Sequence, residues 1–309
     1  MHERDGTGRS RRAALGADTS GGRRGTRGDV AMPYRLGLPI WAYPKWKGRY
    51  FDDEPSMLAS YARVFNAVEG NTTFYGVPDP ATVTGWRRAL DGTDFRFSFK
   101  LPRSVTHERS PDAADLERFL GAIRPLGEHL GPLLVQFAER AGPAELAAFE
   151  PLFERLAEIH RCVVEVRHPA FFAEPGLLEP MLERYRFGRV MLDTRALYRG
   201  DLAHPDVAGA AHRKPDVPLL DEVYAGLAFA RVVLHPDGLD NDRWIDDWVE
   251  RAARMIGRGD EAHVMVHCPN NLYCTEFART FHERLRVRLG RSVVPELPPW
   301  PVPQQESLF

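Results

Sequence analysis

The sequence predicts an α/β fold, a single (β/α)8 barrel of the TIM type with parallel strands. Eight short β-like runs alternate with amphipathic segments of helical period, and this alternation is typical of a parallel sheet. The eight units occupy about 260 residues, the usual size of a closed barrel. An open doubly wound sheet more often carries a glycine-rich phosphate loop after its first strand, and neither common form of that loop is present.

The predicted strands are short runs rich in β-branched and aromatic residues. They span residues 35–41, 67–74, 95–101, 133–137, 162–168, 189–194, 230–235 and 263–268. Amphipathic helices are predicted at 56–65, 80–90, 113–126, 143–159, 242–256 and 275–289. Ser56, Asp79 and Asp112 are predicted to cap three of these helices, because their side-chain oxygens can accept hydrogen bonds from free backbone amides.

Residues 198–229 are predicted to form a long loop, because they contain Gly200, Pro205, Pro215 and Pro218. On a barrel this loop would lie over the C-terminal mouth, where the active sites of such folds are found. His212, Arg213 and Lys214 lie on it. Two interpretations stay open: a solvated basic turn, or a lid that binds an anion.

The first part of the chain, residues 1–33, is predicted to be a disordered extension outside the barrel domain of residues 34–292. It is rich in glycine, arginine and serine and has almost no large apolar side chains, so it cannot bury enough surface to offset the entropy of ordering. A basic arm that contacts nucleic acid is one alternative. A true translation start at Met32 is another.

Residues 293–309 are predicted to form an extended, proline-rich tail. The last residues resemble the short peptide by which bacterial replication and repair proteins dock on the sliding clamp. Gln305 would supply its glutamine, and Leu308 and Phe309 its apolar pair, although Glu306 stands where leucine is usual. The alternative is that Leu308 and Phe309 fold back on the barrel.

The composition is that of a globular protein, with 43% hydrophobic and 27% charged residues. No apolar run is long enough to cross a bilayer and no secretory signal is recognisable, which predicts a cytoplasmic protein without a membrane partner. The three cysteines form no Cys-x-x-Cys pair, which argues against a disulfide framework and a zinc knuckle. A net charge of −2 predicts no global attraction to nucleic acid.

Side chains of a strand alternate between two sides. One side of each predicted strand is apolar and is expected to face the helices, so the other should face the barrel interior. This assigns Ser98, Arg195 and Arg231 to the interior. It also gathers a ring of polar side chains at the C-terminal mouth: Glu69, Asn71, Thr73, Lys100, Gln136, Glu165, Arg167, Asp193, His235 and His267.

This ring has two interpretations, because buried charge is costly unless it is paired. It could be a self-neutralised lattice, in which lysine and arginine balance the three carboxylates. It could instead be an active site, since the charges gather at the strand ends and barrel interiors are otherwise filled by branched apolar residues.

The residues of the ring predict an enzyme of the phosphodiesterase type that hydrolyses a phosphate-bearing substrate, with nucleic acid as one candidate. Lys100 and Arg167 would hold the anion. Base or metal ligands would come from the candidate catalytic residues Glu69, Glu165, Asp193, His235 and His267. A divalent metal is a candidate cofactor because histidine and carboxylate can ligate one, although no fixed spacing such as His-Glu-x-x-His supports it.

Two other functions stay open at this point. The first is a non-catalytic module that binds nucleic acid or associates with the sliding clamp, in which the mouth recognises a ligand and the tail supplies location. The second is catalysis on a glycosidic bond by paired carboxylates, with Trp41, Trp46 and Phe172 as platforms for the sugar.

Several segments resemble the YecE-like family, the domain of unknown function numbered 72. They read GLPIWAYPKWKG at residues 37–48, FNAVEGNTTFY at 65–75, FRFSFKLP at 95–102, THER at 106–109, LGPLLVQ at 130–136, VEVRHP at 164–169, DT at 193–194 and NN at 270–271. Three departures indicate a divergent branch. Pro39 and Ile40 replace the usual Ser-Gly, Phe137 and Ala138 replace Pro-Pro, and residues 233–236 replace Arg-x-His-Gly.

The resemblance implies a TIM-type barrel and no particular reaction, because the family has none firmly assigned. Together with the ring, it gives the candidate substrate-binding residues Trp41, Asn71, Thr73, Lys100, His107, Gln136, Arg167, Asn270 and Asn271.

Overall fold

The computed structural model describes residues 31–211 and 213–302. The predicted extension at residues 1–30, His212, and the clamp-like peptide with Gln305, Leu308 and Phe309 lie outside the described residues. No helix in the described part of the chain is long and apolar enough to cross a membrane.

Eight parallel strands form one sheet, as the alternation in the sequence predicted. Their order in the sheet is β3-β2-β1-β8-β7-β6-β5-β4. The strands are β1 (Arg35–Leu38), β2 (Ala67–Gly70), β3 (Arg96–Phe99), β4 (Leu133–Gln136), β5 (Cys162–Glu165), β6 (Gly188–Asp193), β7 (Leu227–Val233) and β8 (Glu261–His267).

The sheet closes into a barrel where its two edge strands, β3 and β4, meet. Isolated parallel bridges join Phe97 to Leu130 and Lys100 to Leu134. The amide of Gly131 donates to the carbonyl of Phe97 at 2.7 Å, and the amide of Leu101 donates to the carbonyl of Leu134 at 3.0 Å. We call this contact the seam. The predicted (β/α)8 barrel is therefore confirmed.

Helices surround the barrel. They are α1 (Met57–Ala62), α2 (Pro80–Ala89), α3 (Arg103–Thr106), α4 (Ala113–Ile123), α5 (Pro143–Leu146), α6 (Glu150–Ile159), α7 (Ala170–Ala173), α8 (Glu179–Tyr185), α9 (Arg195–Tyr198), α10 (Pro205–Ala211), α11 (Asn241–Arg258) and α12 (Cys274–Leu289). The three predicted N-caps are confirmed. Ser56, Asp79 and Asp112 each accept a backbone amide hydrogen bond, at 3.2, 2.9 and 2.9 Å.

Each of the eight strands ends earlier than the sequence pattern indicated, β1 and β5 by three residues and β2 by four. The first stops at Leu38, because Pro39 has no amide proton to donate to a neighbouring strand. The second stops at Gly70 and continues as a 3-10 turn over Thr72–Phe74. The predicted loop at residues 198–229 also contains the helix α10, which the proline content concealed.

The barrel interior is filled by apolar side chains below the mouth. A buried cluster inside the strands contains Ala67, Leu134, Val163, Val190, Leu227, Phe229 and Met265. Gly37 belongs to the same interior: a Cβ there would lie 2.5 Å from the carbonyl oxygen of Ala67 and 2.8 Å from the sulfur of Met265. A larger core lies between the strands and the helices.

Strand β6 has the opposite orientation to the one predicted. Val190 belongs to the interior cluster, so Asp193, three residues later, projects to the helix side. There Asp193 accepts hydrogen bonds from the indole of Trp248 on α11 at 2.7 Å and from Arg195 at 2.8 and 2.9 Å. The expected interior position of Asp193 and Arg195 is wrong, because this strand places an ion pair in the helix layer and apolar residues inside.

The proline-rich segment after α12 packs on the outside of the barrel. Its Trp300 ring lies 5.0 Å from Tyr50, 5.7 Å from Phe51 and 6.2 Å from Phe65, centroid to centroid. The guanidinium of Arg279 on α12 lies 4.1 Å from the same ring. The segment therefore joins the last helix to the aromatic cluster on either side of α1.

Candidate functional site

The polar centre of the mouth is Arg231, which lies between two buried glutamates. Its Nε and Nη2 each donate to Glu69, both at 2.7 Å. Its Nη1 donates to Glu165 and lies 3.4 Å from Gln136 Oε1. Glu165 also accepts from the Nε of Arg167 at 2.7 Å. Two carboxylates and two guanidiniums thus form a charge-balanced network.

Both glutamates are held in the ionised form. Burial opposes ionisation of Glu69, but the charge of Arg231 outweighs it and holds the pKa of Glu69 well below its usual range. Burial likewise opposes ionisation of Glu165, and Arg231 and Arg167 lower its pKa to about 2. Neither carboxylate suits the role of a general base, because a lowered pKa makes each a weak base and arginine occupies its oxygens.

Glu69 also positions a histidine. The Nε2 of His267 lies 3.2 Å from Glu69 Oε2, and the Nζ of Lys214 lies 3.2 Å from His267 Nδ1. A carboxylate can only accept, so Nε2 carries the proton and Nδ1 accepts from Lys214. Burial and the neighbouring charge of Lys214 lower the pKa of His267 to about 4, which keeps the ring neutral. Asn71 fixes Glu69 from the other side at 2.8 Å.

Lys100 and Lys214 differ from the two arginines of the network. Within residues 31–211 and 213–302, no carboxylate oxygen lies within 4.0 Å of either ammonium. Lys100 is 8% exposed, and its Nζ lies 3.6 Å above the ring of Phe74. Burial and the charge of Arg231 lower the pKa of both lysines to about 7. The two lysines therefore add two basic side chains to a network whose two carboxylates are already balanced by two arginines.

Lys214 reaches the mouth from the connection between α10 and β7, which we call the lid. Three side chains hold the backbone of the lid. Thr194 donates to the carbonyl of Pro215 at 2.9 Å, Tyr198 donates to the carbonyl of Lys214, and Arg167 donates to the carbonyl of Arg213 at 3.2 Å. The part of the predicted loop that carries Lys214 is thus fixed over the barrel, although Arg213 itself is exposed.

These side chains line an open cavity of about 600 Å³ at the C-terminal face of the barrel. Its cationic lining comes from six side chains: Lys100, Arg103, Arg167, Arg213, Lys214 and Arg231. An aromatic wall stands on one side. The centroid of the Phe74 ring lies 4.7 Å from that of His107 and 5.2 Å from that of Tyr75. Tyr75 is 86% exposed at the rim. Burial, followed by the charge of Lys100, lowers the pKa of His107 to about 4.

The structure brings most of the predicted site residues to this cavity. Those that line it or belong to its network are Glu69, Asn71, Lys100, His107, Gln136, Glu165, Arg167, His267 and Asn271. Thr73 lies beside them, where its hydroxyl donates to the carbonyl of Lys100 at 2.6 Å. It supports the backbone and does not line the cavity.

Four predicted site residues lie elsewhere. Asp193 faces α11, as described above, and Trp41 packs against Trp86 and Phe97 on the outer side of the strands. His235 bonds the carbonyl of Asp201 at 3.0 Å and Asp237 at 2.6 Å. Asn270 donates to Asp206 at 2.9 Å. The structure does not bring these four residues together with Glu69 and Glu165.

The donor set of the mouth does not fit a metal ion. No group of three or more histidine, cysteine, aspartate or glutamate side chains in the described residues is arranged to hold one. Glu69 and Glu165 use their oxygens on arginine, and His235 lies outside the network. No chemical step is therefore assigned to a metal here.

Arg231 and Lys214 were missing from the predicted site. The alternation of β7 predicts Arg231 inside the barrel, but it does not predict that Arg231 pairs with both Glu69 and Glu165. Lys214 gave only a weak signal, because a basic tripeptide on a loop is usually solvated. Lys214 lies three residues after the end of α10. The sequence predicted a loop over the mouth there but left open whether it was a solvated turn or an anion-binding lid.

A family model described as "Protein of unknown function DUF72" matches residues 35–303. The chain belongs to the DUF72 family. The matched residues include the whole barrel and the polar network of the mouth, which confirms the resemblance found in the sequence motifs.

Two kinds of relatives agree with this membership. The chain is 32% identical to "UPF0759 protein YecE" of Escherichia coli strain K12 over 280 residues, which cover 89% of this chain and 99% of that protein. Solved structures of DUF72 family proteins from Thermotoga maritima and Enterococcus faecalis align with TM-scores of 0.63 and 0.61 at 20% identity. They cover 83% of this chain and 100% and 97% of theirs, and they support the fold alone.

Proposed function

We propose that the mouth binds a phosphate-bearing ligand and that the protein is an enzyme acting on it. The observation that carries this proposal is the excess of positive charge. Glu69 and Glu165 are balanced by Arg231 and Arg167, which leaves Lys100 and Lys214 without a carboxylate partner in the described residues. A phosphate monoester carries a charge of about −1.5 to −2 at pH 7 and accepts several hydrogen bonds.

The proposed roles follow from position. Lys100 and Arg167 contact the phosphate, with Arg103 and Arg213 at the rim. His267 is the general base, because it is neutral, faces the cavity and is oriented by Glu69. Phosphoester hydrolysis, including that of a nucleic-acid end, is the first reaction to test. A cytoplasmic location stays a prediction from the sequence.

Binding of inorganic phosphate and glycerol phosphate, measured by calorimetry, tests the site. Lys100→Met is expected to weaken binding at least tenfold. Lys47→Met is the matched control, since Lys47 lies at the surface in an ion pair with Asp53, and it should bind as the wild type does. Equal affinity in all three proteins would refute the phosphate site. A phosphoester screen that compares wild type with His267→Asn then tests turnover.

A second candidate is a non-catalytic binding module. The observation that favours it is that both buried carboxylates are occupied by arginine, as in a site built to hold a ligand rather than to transform it. This module would bind phosphate and show no turnover of any phosphoester. The clamp contact predicted for Gln305, Leu308 and Phe309 belongs to this candidate. Clamp binding that survives deletion of residues 303–309 would refute the role of this peptide.

A further inference from the structure

Lysine is rare in this chain, and its placement is uneven. Of the 41 lysine and arginine residues, only four are lysine: Lys45, Lys47, Lys100 and Lys214. Two of the four line the mouth. Almost all other basic residues of the chain are arginine. The two lysines of the mouth are therefore exceptions to the composition of the chain. The two side chains differ chemically, because the lysine amine can lose its proton and act as a nucleophile, whereas the guanidinium stays protonated.

Lys214 has the surroundings of an activated nucleophile. Such a group lies within hydrogen-bond reach of a base, and the base is oriented by a third group. The Nζ of Lys214 lies 3.2 Å from His267 Nδ1, and His267 Nε2 lies 3.2 Å from Glu69 Oε2. Glu69 is itself fixed by Arg231 and Asn71. Lys214, His267 and Glu69 therefore form an ordered chain from nucleophile to base to orienting carboxylate.

Lys100 lacks such a base. Its Nζ lies over the ring of Phe74, and the nearby histidine, His107, uses its Nδ1 on Thr106 at 2.9 Å. A cation held against an aromatic face suits an electrostatic contact with an anion. The two lysines thus divide into an anion-binding residue and a reactive one.

We propose that Lys214 forms an imine with a carbonyl carbon of the bound ligand, so that the ligand is a phosphorylated aldehyde or ketone. This inference rests on the proposed phosphate site but not on hydrolysis. The ammonium proton of Lys214 passes to His267 Nδ1, and the free amine attacks the carbonyl carbon to give a carbinolamine. His267 returns the proton to the carbinolamine oxygen, which leaves as water. One ammonium and one carbonyl become one protonated imine and one water.

The electrostatics of the mouth favour this step. Burial and the nearby Arg231 lower the pKa of Lys214 to about 7, so a large fraction of the amine is free at neutral pH. Lysines activated by burial next to another cation are a known route to Schiff-base chemistry. Glu69 acts as a positioning residue, because it fixes which nitrogen of His267 faces Lys214.

Reductive trapping tests the proposal. The full chain is treated with glycolaldehyde phosphate and cyanoborohydride, and the modified lysine is located by peptide mass spectrometry. We expect labelling of Lys214 at least tenfold faster than of Lys45 and Lys47, which serve as internal controls. Glycolaldehyde without phosphate should lose most of this preference. A Lys45→Arg, Lys47→Arg double variant should be labelled at Lys214 as fast as the wild type.

Three further results discriminate between the proposals. His267→Asn should slow labelling of Lys214 at least tenfold while inorganic phosphate still binds, a combination that a folding defect would not produce. Labelling of Lys214 no faster than that of Lys47, in a protein that binds inorganic phosphate, would overturn the imine and leave the phosphate site standing. Failure to bind phosphate, together with labelling of Lys214 no faster than that of Lys47, would overturn both.

Discussion

Arg231 is the side chain on which both buried carboxylates of the mouth depend. It donates two hydrogen bonds to Glu69 and one to Glu165, and all three residues are almost completely buried. Removing one member of a buried ion pair leaves a charge without compensation, which costs more than the pair itself contributes. The mouth is therefore sensitive to any change that removes this one cation.

Arg231→Met is expected to lower the free energy of unfolding by about 3–5 kcal/mol, because Glu69 and Glu165 would face each other in a buried site. Urea denaturation measures the change. Arg155→Met provides the control, since Arg155 pairs with Glu117 at the surface and its loss should leave the urea midpoint unchanged. Equal midpoints for wild type and Arg231→Met would contradict this account of the network.

The affinity of the mouth for an anion should fall as the pH rises. The pKa values of Lys100 and Lys214 are lowered to about 7, first by burial and then by Arg231, so both side chains are cationic below that pH and lose their charge above it. Sulfate is the suitable probe because its own charge is constant over this range. Calorimetry should give tighter sulfate binding at pH 6 than at pH 8. An affinity independent of pH would mean that neither lysine contacts the anion.

Residue patterns predicted the members of the mouth better than their pairing. The alternation of β2, β5 and β8 placed Glu69, Glu165 and His267 inside the barrel, and all three lie there. The same reasoning failed at β6, because it assumed that the side facing the helices is always apolar. Pairing depends on side-chain lengths and distances across the barrel, and a sequence without coordinates does not contain them.

At the scale of elements, the lid and the C-terminal segment are tied to the barrel by side chains that are distant in the sequence. The lid is held through backbone carbonyls that accept from Thr194, Tyr198 and Arg167. The C-terminal segment is held by the ring of Trp300 and by His282, whose Nε2 lies 2.8 Å from the carbonyl of Pro295. Proline spacing predicted an extended segment, but the aromatic surface that receives it comes from residues far away in the chain.

Trp300→Ala should destabilise the protein by roughly 2–4 kcal/mol, because it removes a large partly buried ring from the cluster with Tyr50, Phe51 and Phe65. Thermal unfolding measures the effect. Leu239→Ala is the matched truncation of a side chain that is 84% exposed and should leave the melting temperature unchanged. If both variants have the melting temperature of the wild type, the segment does not contribute to the stability of the fold.

At the scale of the whole molecule, the sequence predicted the barrel and the strand count correctly. Eight apolar runs with helices between them leave few ways to bury both faces of a parallel sheet. The ends of the strands were less predictable. Pro39 stops β1 and a 3-10 turn follows β2, so local backbone geometry ends both strands before their predicted boundaries.

The seam couples ligand binding in the mouth to closure of the barrel. Its bridges include Lys100, which pairs with Leu134 across the seam and carries its ammonium into the cavity. An anion held by Lys100 should therefore slow local opening of the seam. Hydrogen exchange of the Leu101 and Gly131 amides, which donate across it, should slow when phosphate is added, while the Leu133 amide between β4 and β5 should not respond. The ligand would then complete the cylinder as a structural component of it.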